Sequence, residues 1–214
     1  MEGHPLRAAA IGLIVLAVVG RAPLVEAQAI SVTPYIGYET GGSYPVENPT
    51  SVAAYRASAA RLFGLFADYA IGSRVQAEFQ WGHNPTTYST QDPVTGLYSE
   101  AFSSSIDQYQ FGAMYFLRDA GHAWRTYVTA SVGLTHDSNG GGNPGRTVGG
   151  FGFGVGVIAD VTRYVGFRAD AHWLPTYGSA GVATACDEFG DCFPMTIHNY
   201  LQRFALVAGL VIRP

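Results

Sequence analysis

"GGFGFGVGVIADVTRYVGFRADAHWL", residues 149–174, holds two alternating runs separated by four residues. In the first, Phe151, Phe153, Val155 and Val157 alternate with Gly150, Gly152, Gly154 and Gly156. In the second, Phe167 and Trp173 share one face while Arg168, Asp170 and His172 share the other. A period of two marks β-strands, and each strand here has two chemically different faces. "SRVQAEFQWG" (73–82) repeats the pattern, with Arg74, Gln76, Glu78 and Gln80 opposite Val75, Ala77, Phe79 and Trp81. Which face is hidden from water decides both the fold and the place where the protein works.

The chain around these stretches reads as all-β. Period-2 segments at 30–39, 59–68, 73–82, 106–117, 124–135, 149–160, 165–174 and 199–213 give eight strands, and no amphipathic helical pattern of useful length interrupts them. The connections alternate in length. Residues 69–72, 118–123 and 161–164 are short, whereas 40–58, 83–105, 136–148 and 175–198 are long and polar or rich in Gly and Pro. An up-and-down meander with one trimmed rim and one elaborated rim produces that alternation. Strands of about ten residues with short turns on one side and long loops on the other are the signature of a transmembrane β-barrel. The expected fold is therefore an eight-stranded antiparallel up-and-down barrel spanning residues 30–214.

Composition agrees with a membrane setting. Hydrophobic residues make up 48% of the 214-residue chain and charged residues only 13%, against about a quarter in soluble domains. Residues 1–29 read as a cleaved export signal: Arg7, the apolar run "AAAIGLIVLAVVG" (8–20) and the small-x-small ending "VEAQA" (25–29). That run is well short of the roughly 20 residues a membrane-spanning helix needs. The formal net charge is −4 and there is no Lys, so no basic patch points to nucleic acid.

Closure into a barrel satisfies backbone groups that lipid cannot. Each Arg turned to mid-bilayer lipid costs about 2–4 kcal/mol. Glu39, Arg74, Glu78, Arg168, Asp170, His172 and Arg203 are therefore expected inside, as an ion-paired polar core in which Arg74 neighbours Glu78. The glycine row at 150–156 leaves them room. Val75, Phe79, Trp81, Tyr109, Phe111, Tyr115, Val128, Val132, Phe167, Trp173, Phe204, Leu206 and Leu210 are expected on the lipid side. Tyr38, Trp81, Tyr115, Trp124, Tyr164, Trp173 and Tyr200, near strand ends, suit interfacial girdles. The 59–68 strand stays ambiguous, because Arg61 shares a face with Phe63 and Leu65. The competing architecture is a soluble lipocalin-type barrel, apolar inside, which leaves the loop asymmetry and the aromatic strand ends unexplained.

The units "GVGVIADVTRYVGFRADAHWLPTY" (154–177), "FGLFADYAIGSRVQAEFQW" (63–81) and "FALVAGLVIR" (204–213) resemble the small eight-stranded outer-membrane barrels, those similar to the transmembrane domain of outer membrane protein A. The resemblance implies residence in the bacterial outer membrane, contact with outer-membrane lipid and lipopolysaccharide, delivery by the barrel assembly machinery, and a monomer without a cofactor. Members of that class usually end on an aromatic residue, whereas this sequence ends "VIRP", with Phe204 or Ile212 as substitutes.

Two further motifs carry chemistry. Cys186 and Cys192 in "CDEFGDC" read as a disulfide closing a small loop in an exported chain. The alternative, a metal site with Asp187, Glu188, Asp191 and His198, matches no ligand spacing. "THDSNGG" (135–141) sets His136 and Ser138 two apart, on one side of a strand, as a base and a nucleophile must be. The spacing resembles that of lipid A deacylase barrels, which add a Glu on the next strand. Here "GGFGFGVGVIA" (149–159) offers no carboxylate before Asp160, which falls at the far membrane face, and Asp137 points the other way. The expected role is structural or surface-interacting through long external loops, with a narrow channel and then a lipid-modifying hydrolase as alternatives.

Overall fold

The computed structural model describes residues 30–41, 43–47, 52–91, 95, 97–119, 122–139, 145–177, 181–186, 192–197 and 200–214. The expected export signal, residues 1–29, lies outside them, as do 187–191 and 198. In chain order the strands are β1 (Ile30–Glu39), β2 (Ser43–Glu47), β3 (Val52–Ala57), β4 (Ala60–Ala70), β5 (Val75–Gln91), β6 (Tyr98–Phe116) and β7 (Trp124–Asn139). They continue with β8 (Arg146–Asp160), β9 (Val165–Trp173), β10 (Thr176–Tyr177), β11 (Gly181–Cys186), β12 (Cys192–Ile197), β13 (Tyr200–Leu201) and β14 (Phe204–Ile212).

Eight of these, β1, β4 to β9 and β14, pair in antiparallel order, and β1 pairs with β14 to close the barrel. Short turns finish one rim. In two of them the amides fold back on a strand residue: Ile71 and Gly72 donate to the Val75 carbonyl, and Val161 and Thr162 donate to the Val165 carbonyl. The remaining strands belong to the opposite rim, where β2–β3 and β11–β12 form two-stranded ribbons joined through β12 and β2.

The strands run further than the hydrophobic alternation reached. The segment expected as a loop at 83–105 is largely a ladder, because β5 continues to Gln91 and β6 starts at Tyr98, with one register irregularity at Tyr88/Ser89. β7 and β8 likewise extend to Asn139 and from Arg146. At about 3.3 Å per residue, these 15- to 19-residue strands exceed the 9–11 residues that a bilayer requires. Above the membrane no lipid enforces an apolar face, so the Thr- and Ser-rich stretches lose the alternation while keeping β-forming residues. The expected strand 199–213 is divided, β13 ending at Leu201 and β14 starting at Phe204.

A belt of exposed apolar side chains surrounds the barrel, among them Ile36 at 74% exposure, Phe111 at 63%, Val132 at 66% and Leu206 at 67%. Such a belt is unstable in water and matches a hydrocarbon layer. Tyr69, Tyr115, Trp124 and Tyr164 ring its short-turn edge, and Tyr38, Trp81, Tyr109, Trp173 and Tyr177 its long-loop edge. The ambiguity at β4 is resolved by burial: Leu62, Phe66 and Asp68 point inward, while Arg61 is exposed, two residues beyond Phe63 toward the long-loop rim.

Candidate functional site

The lumen is filled in layers. Nearest the short turns, Met114, Phe116, Tyr127, Ile158 and Val211 form an apolar plug. Beside it lies a charged centre on Arg168, whose side chain is 1% exposed. Its guanidinium bonds Glu78 Oε2 at 2.5 Å and Asp170 Oδ2 at 2.8 Å, and reaches Asp68 at 3.4 Å. Asp68 and Glu78 are direct cross-strand partners. Two carboxylates so placed repel, and Arg168, arriving from the far side of the barrel, is the cation that lets them coexist. Ser31 and Thr129 donate to Asp68 and Glu78, and Tyr127 donates its hydroxyl hydrogen to Asp170. The guanidinium also lies 3.7 Å over the Phe66 ring.

The glycine row makes this centre possible. A Cβ on Gly156 would clash with Tyr127 Oη and Asp170 Oδ1, and one on Gly154 would meet His172 Nδ1 at 2.8 Å. Toward the long-loop rim comes a second apolar layer of Tyr35, Leu62, Phe66, Leu174, Ala205 and Val207. A polar layer follows: Arg203 Nη1 donates to Glu39 Oε1 at 2.8 Å, Arg203 Nη2 donates to Thr135, and Gln108 donates to Glu39 Oε2 at 2.7 Å.

Six of the seven charged residues expected inside are buried there: Glu39, Glu78, Arg168, Asp170, His172 and Arg203. Arg74 is not. It lies before β5 in the short turn, where it makes a bidentate pair with the more exposed Asp119 at 2.5 Å, and Glu78 takes Arg168 in its place. The parity of the strand was read correctly, but Arg74 stands one residue before the strand starts. Its hydrogen bonds hold the Asp119 carboxyl below the usual range. Asp68, Tyr127 and Tyr35 were absent from the sequence-based set. Asp68 lies in the strand whose faces were ambiguous, and the two tyrosines look like girdle residues until the register is known.

His136 and Ser138 share a face, but it is the outer wall and not the lumen, since Thr135 and Asp137 on either side of His136 point inward. They are not bonded to each other: His136 Nδ1 contacts Thr147 Oγ1 at 2.9 Å, and Ser138 Oγ contacts Ser105 Oγ at 2.5 Å. The following strand supplies no acid at this level, its Asp160 lying at the far end. The preceding one does, because Asp107 stands opposite His136, although its carboxylate bonds His83 Nδ1 at 2.8 Å. Thus His83–Asp107 and His136–Thr147 are two separate hydrogen-bonded pairs standing side by side in one row across β5 to β8. This row was invisible in sequence because cross-strand register brings together residues up to 29 positions apart. Cys186 and Cys192 are backbone partners across β11 and β12, and their side chains lie outside the described residues. Among the described residues no group of three or more His, Cys, Asp or Glu is arranged to hold a metal.

The chain matches no protein-family model and no curated protein by sequence. Among solved structures it is similar to the outer membrane protein OprG from Pseudomonas aeruginosa, with a TM-score of 0.61 and 8% identity over 87% of this chain and 98% of that one. It is similar also to the outer membrane protein AlkL, with a TM-score of 0.58 and 14% identity over 90% and 93% of the two chains. It has the fold of the small outer-membrane β-barrels. With that fold and an apolar belt on its outer surface, the barrel belongs in the outer membrane; barrels of this kind keep their short turns on the periplasmic side and their longer rim outside. A third likeness, to the outer membrane protease OmpT from Escherichia coli, has a TM-score of 0.50 at 7% identity over 91% of this chain and 99% of that one. At these identities the likeness is one of fold.

Proposed function

We propose that this barrel is a non-conducting, non-enzymatic envelope protein that acts at the cell surface through its external β-extension. One observation carries the reading: the lumen is closed by two apolar layers, in which Phe66, Met114 and Val211 are fully buried, and by the ion-paired residues around Arg168 and Arg203. An eight-stranded barrel is just wide enough for side chains to fill. A solute path would need Arg168 to leave three carboxylates at once. The strands that continue outside the bilayer are then the working part. Planar-bilayer recording tests this, with no unitary steps expected. Steps that change when Arg168 or Arg203 is replaced would overturn it. Replacing 84–105 by a short turn is expected to leave the barrel inserted and heat-modifiable in gels while sensitising cells to detergent.

A second reading, a lipid-modifying hydrolase using Ser138 as nucleophile and His136 as base, draws support from their place on the outer wall, level with the external leaflet. The hydrogen bonds of both groups, to Ser105 and Thr147 instead of to each other, speak against it. Fatty-acid release from lipid A that disappears in His136→Ala would favour the hydrolase over the first reading.

A further inference from the structure

The short-turn rim carries a charge pattern that neither the lumen centre nor the external extension uses. Arg125 on β7, Asp160 at the end of β8 and Arg213 just past β14 each stand two residues beyond a plug side chain, Tyr127, Ile158 and Val211, and so share its inward face. Asp160 Oδ1 lies 2.7 Å from Arg213 Nη2, and Asp160 Oδ2 lies 3.4 Å from Arg125 Nη2, so two guanidiniums share one carboxylate. The Arg125 and Arg213 side chains are only 11% and 10% exposed. The Arg125 guanidinium rests 4.4 Å over the Phe116 ring, and its Nε has no hydrogen-bond partner among the described residues. Around this mouth the rim stays positive. Arg74 and Asp119 pair with each other, while the exposed Arg118 and Arg163 have no carboxylate partner among the described residues. The five Arg of the rim stand against Asp119 and Asp160, an excess that a terminal carboxylate at Pro214 would reduce and not cancel.

Each guanidinium spends one nitrogen on Asp160 and keeps further donors of its planar fork, a geometry that matches carboxylate. Asp160 itself shows that a carboxylate fits between the two. Annular lipid is not placed to reach them, because it meets the outward Trp124 and Ile212, whereas Arg125 and Arg213 are turned over the barrel axis. A ligand seated there also goes no further, since Phe116, Tyr127, Ile158 and Val211 close the lumen beneath it. The turns at 71–74 and 161–164 are short and leave the mouth open to an extended chain, with Arg118 and Arg163 beside it for further acids. We propose that the short-turn mouth is a docking socket for the carboxylates of an acidic peptide segment, seated by Arg125 and Arg213. Asp160 holds the two forks in place when the socket is empty. In barrels of this kind the short-turn rim faces the periplasm, so the segment belongs to a periplasmic protein. The socket is a second working surface, on the rim opposite the external extension.

The test uses the full barrel refolded in neutral detergent and titrated, at low salt, against a fluorescent oligoglutamate peptide followed by anisotropy. Arg125→Gln combined with Arg213→Gln is expected to weaken binding by about tenfold or more, the loss of one or two charge-assisted contacts. Asp160→Asn is expected to tighten it, because the competing internal carboxylate is gone, and to do so more than Asp119→Asn, which removes the same charge from the same rim outside the socket. Arg61→Gln, toward the opposite rim, is expected to change nothing, and heat-modifiability checks that each variant is folded. Arg213 lies beyond the last strand, so Arg213→Gln alone serves should the double variant fail to fold, with a smaller loss expected. Equal affinity in all folded variants would overturn the socket, as would equal tightening by Asp160→Asn and Asp119→Asn, the mark of diffuse attraction to a basic rim. Displacement of the peptide by inorganic phosphate at equal concentration of charge would reveal a general anion site and defeat the peptide assignment. Displacement by phosphatidylglycerol added to the micelle would hand the rim to lipid and defeat it likewise.

Discussion

Replacing Arg168 by Met isolates the central physical claim, that the barrel interior is held by one cation serving three carboxylates. Methionine keeps much of the side-chain length and its apolar contact with Phe66 while removing the charge. Glu78, Asp170 and Asp68, at 2.5, 2.8 and 3.4 Å from the guanidinium, are then left facing one another, all three nearly inaccessible to water. Removing one partner of a buried ion pair costs about 3–5 kcal/mol, because the remaining charge stays desolvated and unpaired. Three stranded carboxylates place Arg168→Met at the upper end of that range, a large part of a typical stability of about 5–15 kcal/mol. With a urea slope of about 1–3 kcal/mol per molar, the midpoint should fall by roughly 2–5 M. The assay is urea unfolding in lipid vesicles, read by tryptophan fluorescence and by the gel shift between folded and unfolded barrel. Arg168→Met combined with Glu78→Gln and Asp170→Asn is expected to recover most of the loss, leaving only Asp68, which keeps its bond from Ser31. An Arg168→Met barrel as stable as the parent, or a triple variant no better than the single one, would refute the reasoning.

Other perturbations probe separate layers of the structure. Gly156→Ala pushes a methyl against Tyr127 and Asp170, both tied into the Arg168 network, and should cost about 1–3 kcal/mol in the same assay, whereas Gly72→Ala, with open space around it, should have a far smaller effect. Phe111→Arg on the lipid belt should lower stability in vesicles by about 2–4 kcal/mol, and no loss would contradict the assignment of the outer face. At the periplasmic rim the Asp119 carboxyl is held low by Arg74, so the pair contributes above the unfolded carboxyl's range, near pH 4, and is lost as pH falls through the lower folded value. Carboxyl NMR should show Asp119 titrating below pH 3.8 in the parent and moving up toward its ordinary value in Arg74→Ala.

The fold was legible because a membrane barrel imposes two rules that survive in one sequence: side chains alternate every residue, and charges avoid lipid. Those rules placed Arg168, Asp170, Glu78, Glu39, His172 and Arg203 inside, and Phe111, Val132 and Leu206 outside. They lost force where lipid no longer enforces them. The Thr- and Ser-rich ends of β5 and β6 looked like loop, Arg61 looked misplaced, and Arg74 was counted into a strand that begins one residue later.

By itself, the sequence determined that this is an eight-stranded barrel with a polar inside, because periodicity and the cost of a charge in lipid are local properties of each strand. Which residues meet was decided only by the tertiary structure. Cross-strand register sets Asp68 against Glu78 and His83 against Asp107, and closure carries Arg168 across the lumen to carboxylates 90 and 100 positions away. Register and closure depend on strand lengths, turn geometry and the meeting of the first strand with the last. No single strand's alternation encodes them.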